Sequence, residues 1–309
     1  MHSMEASART CLTPKVIPFS AGVQPPRVVV PAGACDSHLH VYDRRYPTAP
    51  GVRLLPPDAS ISDYRLLQLR TGLSRAVLVT PSTYGNDNRT MLQALQALQA
   101  LGSAARGVAV IDGTESDTEL EALDAQGVRG VRLNLSLGVT HSVEMLEPIA
   151  QRIAALGWHL QLLMSPDVLA SVGVTLRRLP VQLVFDHFGR IAPAQARSHS
   201  AHALLLDLLV EGRAWLKLSG GYIVSPLGST DDPALDALAR GYLDAAPQRI
   251  VWGSDWPHAT ASAGIQPMPD DARQIDRLAD WTSDKALFQR VLVDNPGELY
   301  GFSAPSPSP

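Results

Sequence analysis

The chain has 309 residues, 45% of them hydrophobic and 18% charged, and a formal net charge of −4. This is a globular composition, long enough for one large or two medium domains. With no long basic run, it excludes bulk attraction to nucleic acid or to an anionic membrane.

Residues 1–30 carry scattered prolines and little periodicity, and are expected to form an N-terminal arm that lies over the body or is partly disordered. No basic region followed by an apolar stretch opens the chain, so no signal peptide is expected and the cytoplasm is the expected location. The two cysteines, Cys11 and Cys35, give no disulfide framework.

From residue 34 onward, short β-rich runs alternate with helical stretches. The strand candidates are ACDSHLHV (34–41), RAVLVTP (75–81), RGVAVI (106–111) and VRGVRLNL (128–135). They continue with WHLQLLM (158–164), VQLVFDH (181–187), AWLKLSG (214–220) and RIVWGSD (249–255). Most are nearly continuous apolar runs, as in parallel strands buried on both faces. The clearest helix is 88–102, with leucines at 92, 95, 98 and 101, Asn88 as a candidate N-cap and Gly102 as a stop. Further helices are expected at 117–126, 143–156, 167–178, 200–211, 233–245 and 283–293. The most apolar run, ALLLDLLV (203–210), is too short to span a bilayer and is broken by Asp207. The tail 303–309, SAPSPSP, reads as disordered by composition.

Eight strands separated by helices imply an α/β fold, a single-domain (β/α)8 TIM barrel over 31–302. A doubly wound open sheet is the rival. Closure is favoured because the most reactive residues lie on the first and last strands, which pair only in a barrel.

Active sites of such barrels lie at the C-terminal ends of the strands. Strand one supplies His38 and His40, and strand two Ser82, Tyr84, Asn86 and Asn88. Strand four supplies Arg132 and Asn134, strand six Asp186, His187 and Arg190, and strand seven Lys217, Ser219 and Tyr222. Strand eight supplies Asp255, Trp256 and His258. His159 opens strand five and is expected at the opposite, stability face. His2, His141, His199 and His202 fall in the arm, a loop or helix starts. Tyr46, in the loop after strand one, is a weaker pocket candidate.

Two imidazoles at i and i+2 of a strand project to one side. Neutral imidazoles with a carboxylate suit zinc, and Asp255 on the adjacent strand supplies that carboxylate. An aspartate, ionised at neutral pH, is equally placed as a base toward water.

DSHLHVYD, VFDHFGR, IVWGSDWPH and DNPGELYGF together resemble the amidohydrolase superfamily. More narrowly they resemble its branch of pyrone-dicarboxylate, sugar-lactone and sulfomuconolactone hydrolases. The resemblance runs from about 31 to 302 and implies a barrel that opens a small acidic lactone without a covalent intermediate. It assigns catalysis to His38, His40, His187 and Asp255, with Asp255 as base. It assigns substrate contacts to Arg132, Arg190 and the loop from Ser82 to Asn88. One divalent metal, zinc, on His38, His40, Asp255 and His187 and a metal-free site both stay open.

The departures are informative. Strand four lacks the metal-bridging lysine or glutamate of many members, and strand five lacks their histidine, so a two-metal site is not expected. The stretches LSLGVTHS and SGGYIVS lack arginines that the pyrone-dicarboxylate enzymes use, which implies fewer carboxylates on the substrate. A non-catalytic barrel binding an acidic small molecule is the alternative from another class. A metal-dependent decarboxylase is a third reading, weakened by the missing strand-five histidine. Homo-oligomerisation stays open.

Overall fold

The computed structural model describes residues 17–136 and 141–303; the outer part of the arm and all but the first residue of the tail lie outside them. Eight parallel strands form one sheet in sequence order: β1 (Cys35–Leu39), β2 (Arg75–Val79), β3 (Ala104–Ala109), β4 (Val128–Asn134), β5 (His159–Leu163), β6 (Leu183–Phe185), β7 (Ala214–Leu218) and β8 (Ile250–Trp252). The sheet then closes on itself. Asp255 N–H donates to His38 O and His40 N–H to Trp256 O, both at 2.8 Å. These bonds rule out the open-sheet alternative, and the fold is a (β/α)8 barrel.

Side-chain alternation explains the long apolar runs. Ala76, Leu78, Leu183, Phe185, Leu216 and Leu218 join the apolar shell under the helices. Their neighbours Val77, Val79, Val184 and Trp215 face the other way, into two small interior clusters. Leu299 and Tyr300, at the end of the helix over 295–300, and Phe302 just after it pack against those clusters. The lower barrel is therefore apolar and filled, while its upper interior is polar.

Thirteen α-helices occur among the described residues: α1 (Ile61–Thr71), α2 (Arg89–Ala100), α3 (Asp117–Ala125), α4 (Leu146–Ala154), α5 (Pro166–Ser171), α6 (Gly173–Arg178), α7 (Ser200–Val210), α8 (Gly221–Val224), α9 (Ala234–Ala245), α10 (Ala259–Ser262), α11 (Asp271–Trp281), α12 (Lys285–Gln289) and α13 (Asn295–Tyr300). The expected helix over 167–178 is two short ones. At the break, Gly173 sits so close to Leu204 of α7 that a Cβ would approach it to 2.8 Å. The expected 283–293 helix is α12 continued by a π-helical turn, Arg290–Asp294, into α13. The sequence pattern did not reveal α1 and α11. In α1, buried Gln68 and Arg70 blur the apolar stripe, whereas α11 keeps one, Ala272, Ile275, Leu278 and Trp281, beside buried Asp271, Gln274 and Asp276.

Asn88 precedes α2 but caps nothing: its side chain accepts from Thr80 Oγ1 and Val110 N–H and donates to Val110 O, stapling the exits of β2 and β3. Residues 17–30 carry no helix or strand and lie on the body. Arg27 pairs with Asp276 of α11, and Phe19 packs edge-on against Trp256 at 5.7 Å. Among the described residues, no helix is long and apolar enough to cross a membrane.

Candidate active site

The closing seam of the barrel is also where the reactive groups meet. Asp36 Oδ1 accepts from Ser254 N–H at 2.8 Å, and its Oδ2 accepts from Ser254 Oγ at 2.6 Å and Tyr64 Oη at 3.2 Å. Burial pushes Asp36 up to about 6, against the pull of those hydrogen bonds. The clamp leaves His38 and His40 pointing inward, with their Nε2 atoms 3.3 Å apart.

Asp255 completes the centre. Its Oδ1 lies 3.6 Å from His38 Nε2, 3.8 Å from His40 Nε2 and 3.9 Å from His187 Nε2. All four residues are more than nine-tenths buried. Burial raises the Asp255 carboxyl, but the three imidazoles and the Tyr222 hydroxyl more than reverse this, so it is ionised at neutral pH. Burial, only partly offset by the carboxylates, lowers His38 and His187 and takes His40 to about 4. The three imidazoles are therefore neutral around one carboxylate.

Their second nitrogens are held. His40 Nδ1 donates to Val79 O at 2.7 Å, which turns the lone pair of Nε2 inward. His187 Nδ1 meets Ser219 Oγ at 2.9 Å. His38 Nδ1 is 3.2 Å from both Lys217 Nζ and Asp186 Oδ1. Lys217 also donates to Gln161 Oε1 at 2.7 Å. Burial lowers Lys217 to about 8, with Asp186 opposing. Burial would raise Asp186, yet His38, Arg132 and Lys217 hold it well below the usual carboxylate range.

The exit loops of β6 and β8 are conformationally strained. Of six non-glycine residues with positive φ among those described, five are His187, Phe188, Arg190, Asp255 and His258. Each such conformation costs on the order of 1–3 kcal/mol and persists only where the surroundings enforce it. Gly220 is part of that enforcement. Its φ is +54°, and a Cβ there would stand 2.9 Å from His187 Nδ1.

The two candidate arginines differ. Arg132 is buried, donating to Asp186 Oδ2 at 2.9 Å and to Ser82 Oγ at 3.4 Å. Arg190 is partly buried and makes no hydrogen bond or ion pair with a described residue; Asp255 is the charge it feels. Ser82 also accepts from Asn134 Nδ2 at 2.7 Å. Tyr84 spends its hydroxyl on Asp43, accepting from its N–H and donating to its O. Asn86 is exposed and donates to Asp112, on a groove of about 430 Å³ that Tyr84 and Pro47 also line. Tyr46 lies under the Arg89 guanidinium at 4.8 Å. Ser82 and the arginines thus belong to the polar interior, whereas Tyr84, Asn86 and Tyr46 line or flank the outer loops.

Several polar residues escape a reading of strand ends. His141 is buried at the exit of β4, between Asn134 N–H and Ile111 O, beside a cavity of about 10 Å³ that Arg132 and Ser82 also line. That is the size of one water. Gln161, inside β5 and in register with Arg132, accepts from Lys217 Nζ at 2.7 Å and donates to Asp186 Oδ2 at 3.2 Å. Asp271, on α11, is another: it pairs at 3.2 Å, behind Asp255, with the His258 read at the end of strand eight. Only their sequence neighbourhood, and no periodicity, hinted at these partners.

His38, His187 and Asp255 each offer a ligand atom, all within 4.8 Å of one another. Two imidazoles and a carboxylate match zinc's ligand preferences, and the inward lone pair of His40 adds a fourth donor nearby, so the residues fit one divalent ion.

A closed eight-stranded barrel with an H-x-H on its first strand, a histidine after its sixth and an aspartate after its eighth defines a barrel hydrolase of the amidohydrolase type. The chain belongs to the Amidohydrolase family, whose model matches residues 35–302. It is 34% identical to a 2-pyrone-4,6-dicarboxylate hydrolase of Comamonas testosteroni over 93% of this chain and 96% of the relative. It is 31% identical to a D-galactarolactone isomerase of Agrobacterium fabrum, over 90% and 94%. An apo structure of an Agrobacterium tumefaciens protein, 30% identical, superposes with a TM-score of 0.80 over 93% of this chain and 99% of that one.

Proposed function

We propose that this protein is a hydrolase that opens a small lactone bearing a carboxylate, with Asp255 as general base. One observation carries the reading. Asp255 Oδ1 faces three imidazole Nε2 atoms at 3.6, 3.8 and 3.9 Å, too far for direct hydrogen bonds and spaced for an intervening reactant. The lactone names of the full-length relatives support the substrate class.

Asp255 takes a proton from water as the water oxygen bonds to the lactone carbonyl carbon. Donors at His38 and His187 hold the oxyanion that forms. In the metal-free form this requires the tautomer with the proton on Nε2 of both rings, in which Lys217 donates to His38 Nδ1 and Ser219 to His187 Nδ1. Breaking the ring C–O bond expels an alkoxide, which recovers the proton from Asp255, and the product is a hydroxy acid. Oxyanion donors are commonly worth about 3–4 kcal/mol each. A zinc ion on His38, His187 and Asp255 supplies Lewis-acid polarisation of the carbonyl when bound.

The substrate's charge follows from the arginines. Arg132 is already neutralised by Asp186, whereas Arg190 has no ion-pair partner among the described residues and feels the charge of Asp255. One free guanidinium suits one carboxylate better than two. This favours a monocarboxylated lactone over a dicarboxylated pyrone.

The test is a panel of carboxylated lactones, with acid release read by a pH indicator and products by NMR. Asp255→Asn is expected to lower turnover by about 10²–10⁴-fold while retaining the parent's circular dichroism. Near-native turnover in that variant removes the assignment. A rearranged lactone without acid release moves the protein to isomerisation. Turnover with and without prior chelation, beside elemental analysis, separates the zinc-bound from the metal-free form.

A further inference from the structure

The two oxygens of Asp255 have different surroundings. Oδ1 faces the imidazoles across the gap described above. Oδ2 accepts a hydrogen bond from Tyr222 Oη at 2.5 Å. Tyr222 lies in α8, immediately after β7, and is 3% exposed. Behind it, His258 Nδ1 is 3.1 Å from the same hydroxyl, and His258 Nε2 is 3.2 Å from Asp271 Oδ2 on α11. His258 and Asp271 are fully buried. Asp271 is fixed in turn by Gln274 Nε2 at 3.0 Å and, through its own N–H, by Ser20 Oγ at 3.2 Å.

Counting donors orients the chain. A tyrosine hydroxyl has one proton, and here it goes to Asp255 Oδ2. Toward His258 the hydroxyl must therefore accept, so Nδ1 carries a proton. Asp271 is an acceptor, so Nε2 carries one too. His258 is then an imidazolium between two carboxylates. Burial opposes that charge, but Asp271 and Asp255 raise His258 above the ordinary histidine value, in agreement.

We propose that Tyr222 is a positioning residue that holds Asp255 by Oδ2, with His258 and Asp271 bracing Tyr222, so that only Oδ1 is offered to the reacting water. This rests on the hydrolase reading above. The backbone at Asp255 is left-handed, with φ 66°. A carboxylate on a strained loop and flanked by three neutral imidazoles needs such a tether, because either oxygen is otherwise free to turn inward. A misplacement of about 1 Å can cost on the order of 10²-fold in rate.

Tyr222→Phe, His258→Gln, Asp271→Asn and the Tyr222→Phe/His258→Gln double variant test this in the full chain. Tyr222→Phe is expected to lower kcat by about 10- to 100-fold, the range for one hydrogen bond to a charge, with KM within about threefold. His258→Gln is expected to lower kcat less. The double variant is expected to be no slower than Tyr222→Phe alone, because His258 acts through the tyrosine hydroxyl.

A readout without substrate accompanies the kinetics: the Asp255 carboxylate stretches, isolated by infrared difference against Asp255→Asn. Their splitting is expected to change in Tyr222→Phe and, with the fold least disturbed, in Asp271→Asn. A double variant much slower than Tyr222→Phe overturns the relay, as does an Asp255 band identical in parent and Tyr222→Phe. If the parent opens no lactone while the band still moves, the hydrolase reading fails and the tether stands.

Discussion

Arg132 and Arg190 carry the same charge but are expected to fail differently when it is removed. Arg190→Met removes a guanidinium with no ion-pair partner among the described residues, so KM for a carboxylated lactone should rise by about 10- to 100-fold with little change in melting temperature. Arg132→Met leaves Asp186 buried without its closest cation, which costs about 3 kcal/mol or more, with Lys217 recovering part of it. Its first symptom should therefore be a lower melting temperature, read by thermal unfolding alongside Michaelis kinetics. Equal KM effects and equal stabilities for the two variants sink this distinction. Residues of this kind differ in how readable they are from sequence. His38, His40, His187 and Asp255 interrupt apolar strands or stand at their exits, so the pattern exposes them. The pairing of Arg132 with Asp186, and the reach of Asp271 back to His258 from another helix, depend on side-chain direction across the barrel, which strand spacing does not encode. The tyrosine of STYGNDN is a plausible pocket residue by position, yet its hydroxyl is consumed by the Asp43 backbone.

Among the elements, the β1–β8 seam fixes the site, and its tightest point is Gly253. A Cβ there would lie 2.6 Å from His38 Cβ and 2.7 Å from His38 N. The second of these atoms is backbone, so it cannot swing aside as a flexible side chain can. Gly253→Ala must push β8 away from β1, lengthening the bond from Asp255 N–H to His38 O and the clamp of Ser254 on Asp36. Overpacking of this kind costs about 1–3 kcal/mol. Because His38 lies on β1 and Asp255 in the loop that leaves β8, turnover should fall in the same variant. A substitution that lowers the melting temperature by the expected amount yet leaves kcat at the parent value would separate seam from site. The strands themselves were legible because burial on both faces writes them as apolar runs. The helix α1 was not, because buried Gln68 and Arg70 dilute its apolar stripe; α11 carries a stripe of Ile275, Leu278 and Trp281, but its buried Asp271 and Asp276, turned toward the seam and the arm, are not readable from spacing. Closure was legible only indirectly, through the chemistry shared by the first and last strands.

At the scale of the whole molecule, the barrel encloses an unusual number of neutral imidazoles, and this sets its response to acid. Burial lowers His38 and His187, takes His40 to about 4 and takes His159 to about 3. Each binds a proton more readily in the unfolded chain, near 6.5, than in the folded one. Between the two values the unfolded state holds more protons, so stability is complete above about pH 6.5 and is lost as pH falls. Two groups oppose this. His258, raised in the fold, and Asp36, raised to about 6, both favour the folded state on acidification. Burial also lowers His141 and His202, so six groups against two predict net destabilisation on moving from pH 7 to pH 5. His159 isolates the effect from catalysis, because it lies at the start of β5, at the end of the barrel away from Asp255, its ring edge-on to Tyr300 at 5.5 Å. Its share between pH 7 and pH 5 is about 2 kcal/mol, from 1.36 kcal/mol per unit of the shift traversed. His159→Phe keeps a ring against Tyr300 and removes the ionisable group. It should flatten the fall in melting temperature between those pH values while leaving kcat near that of the parent. A variant whose stability drops with acid as steeply as the parent's would show that His159 is not among the groups that set this dependence.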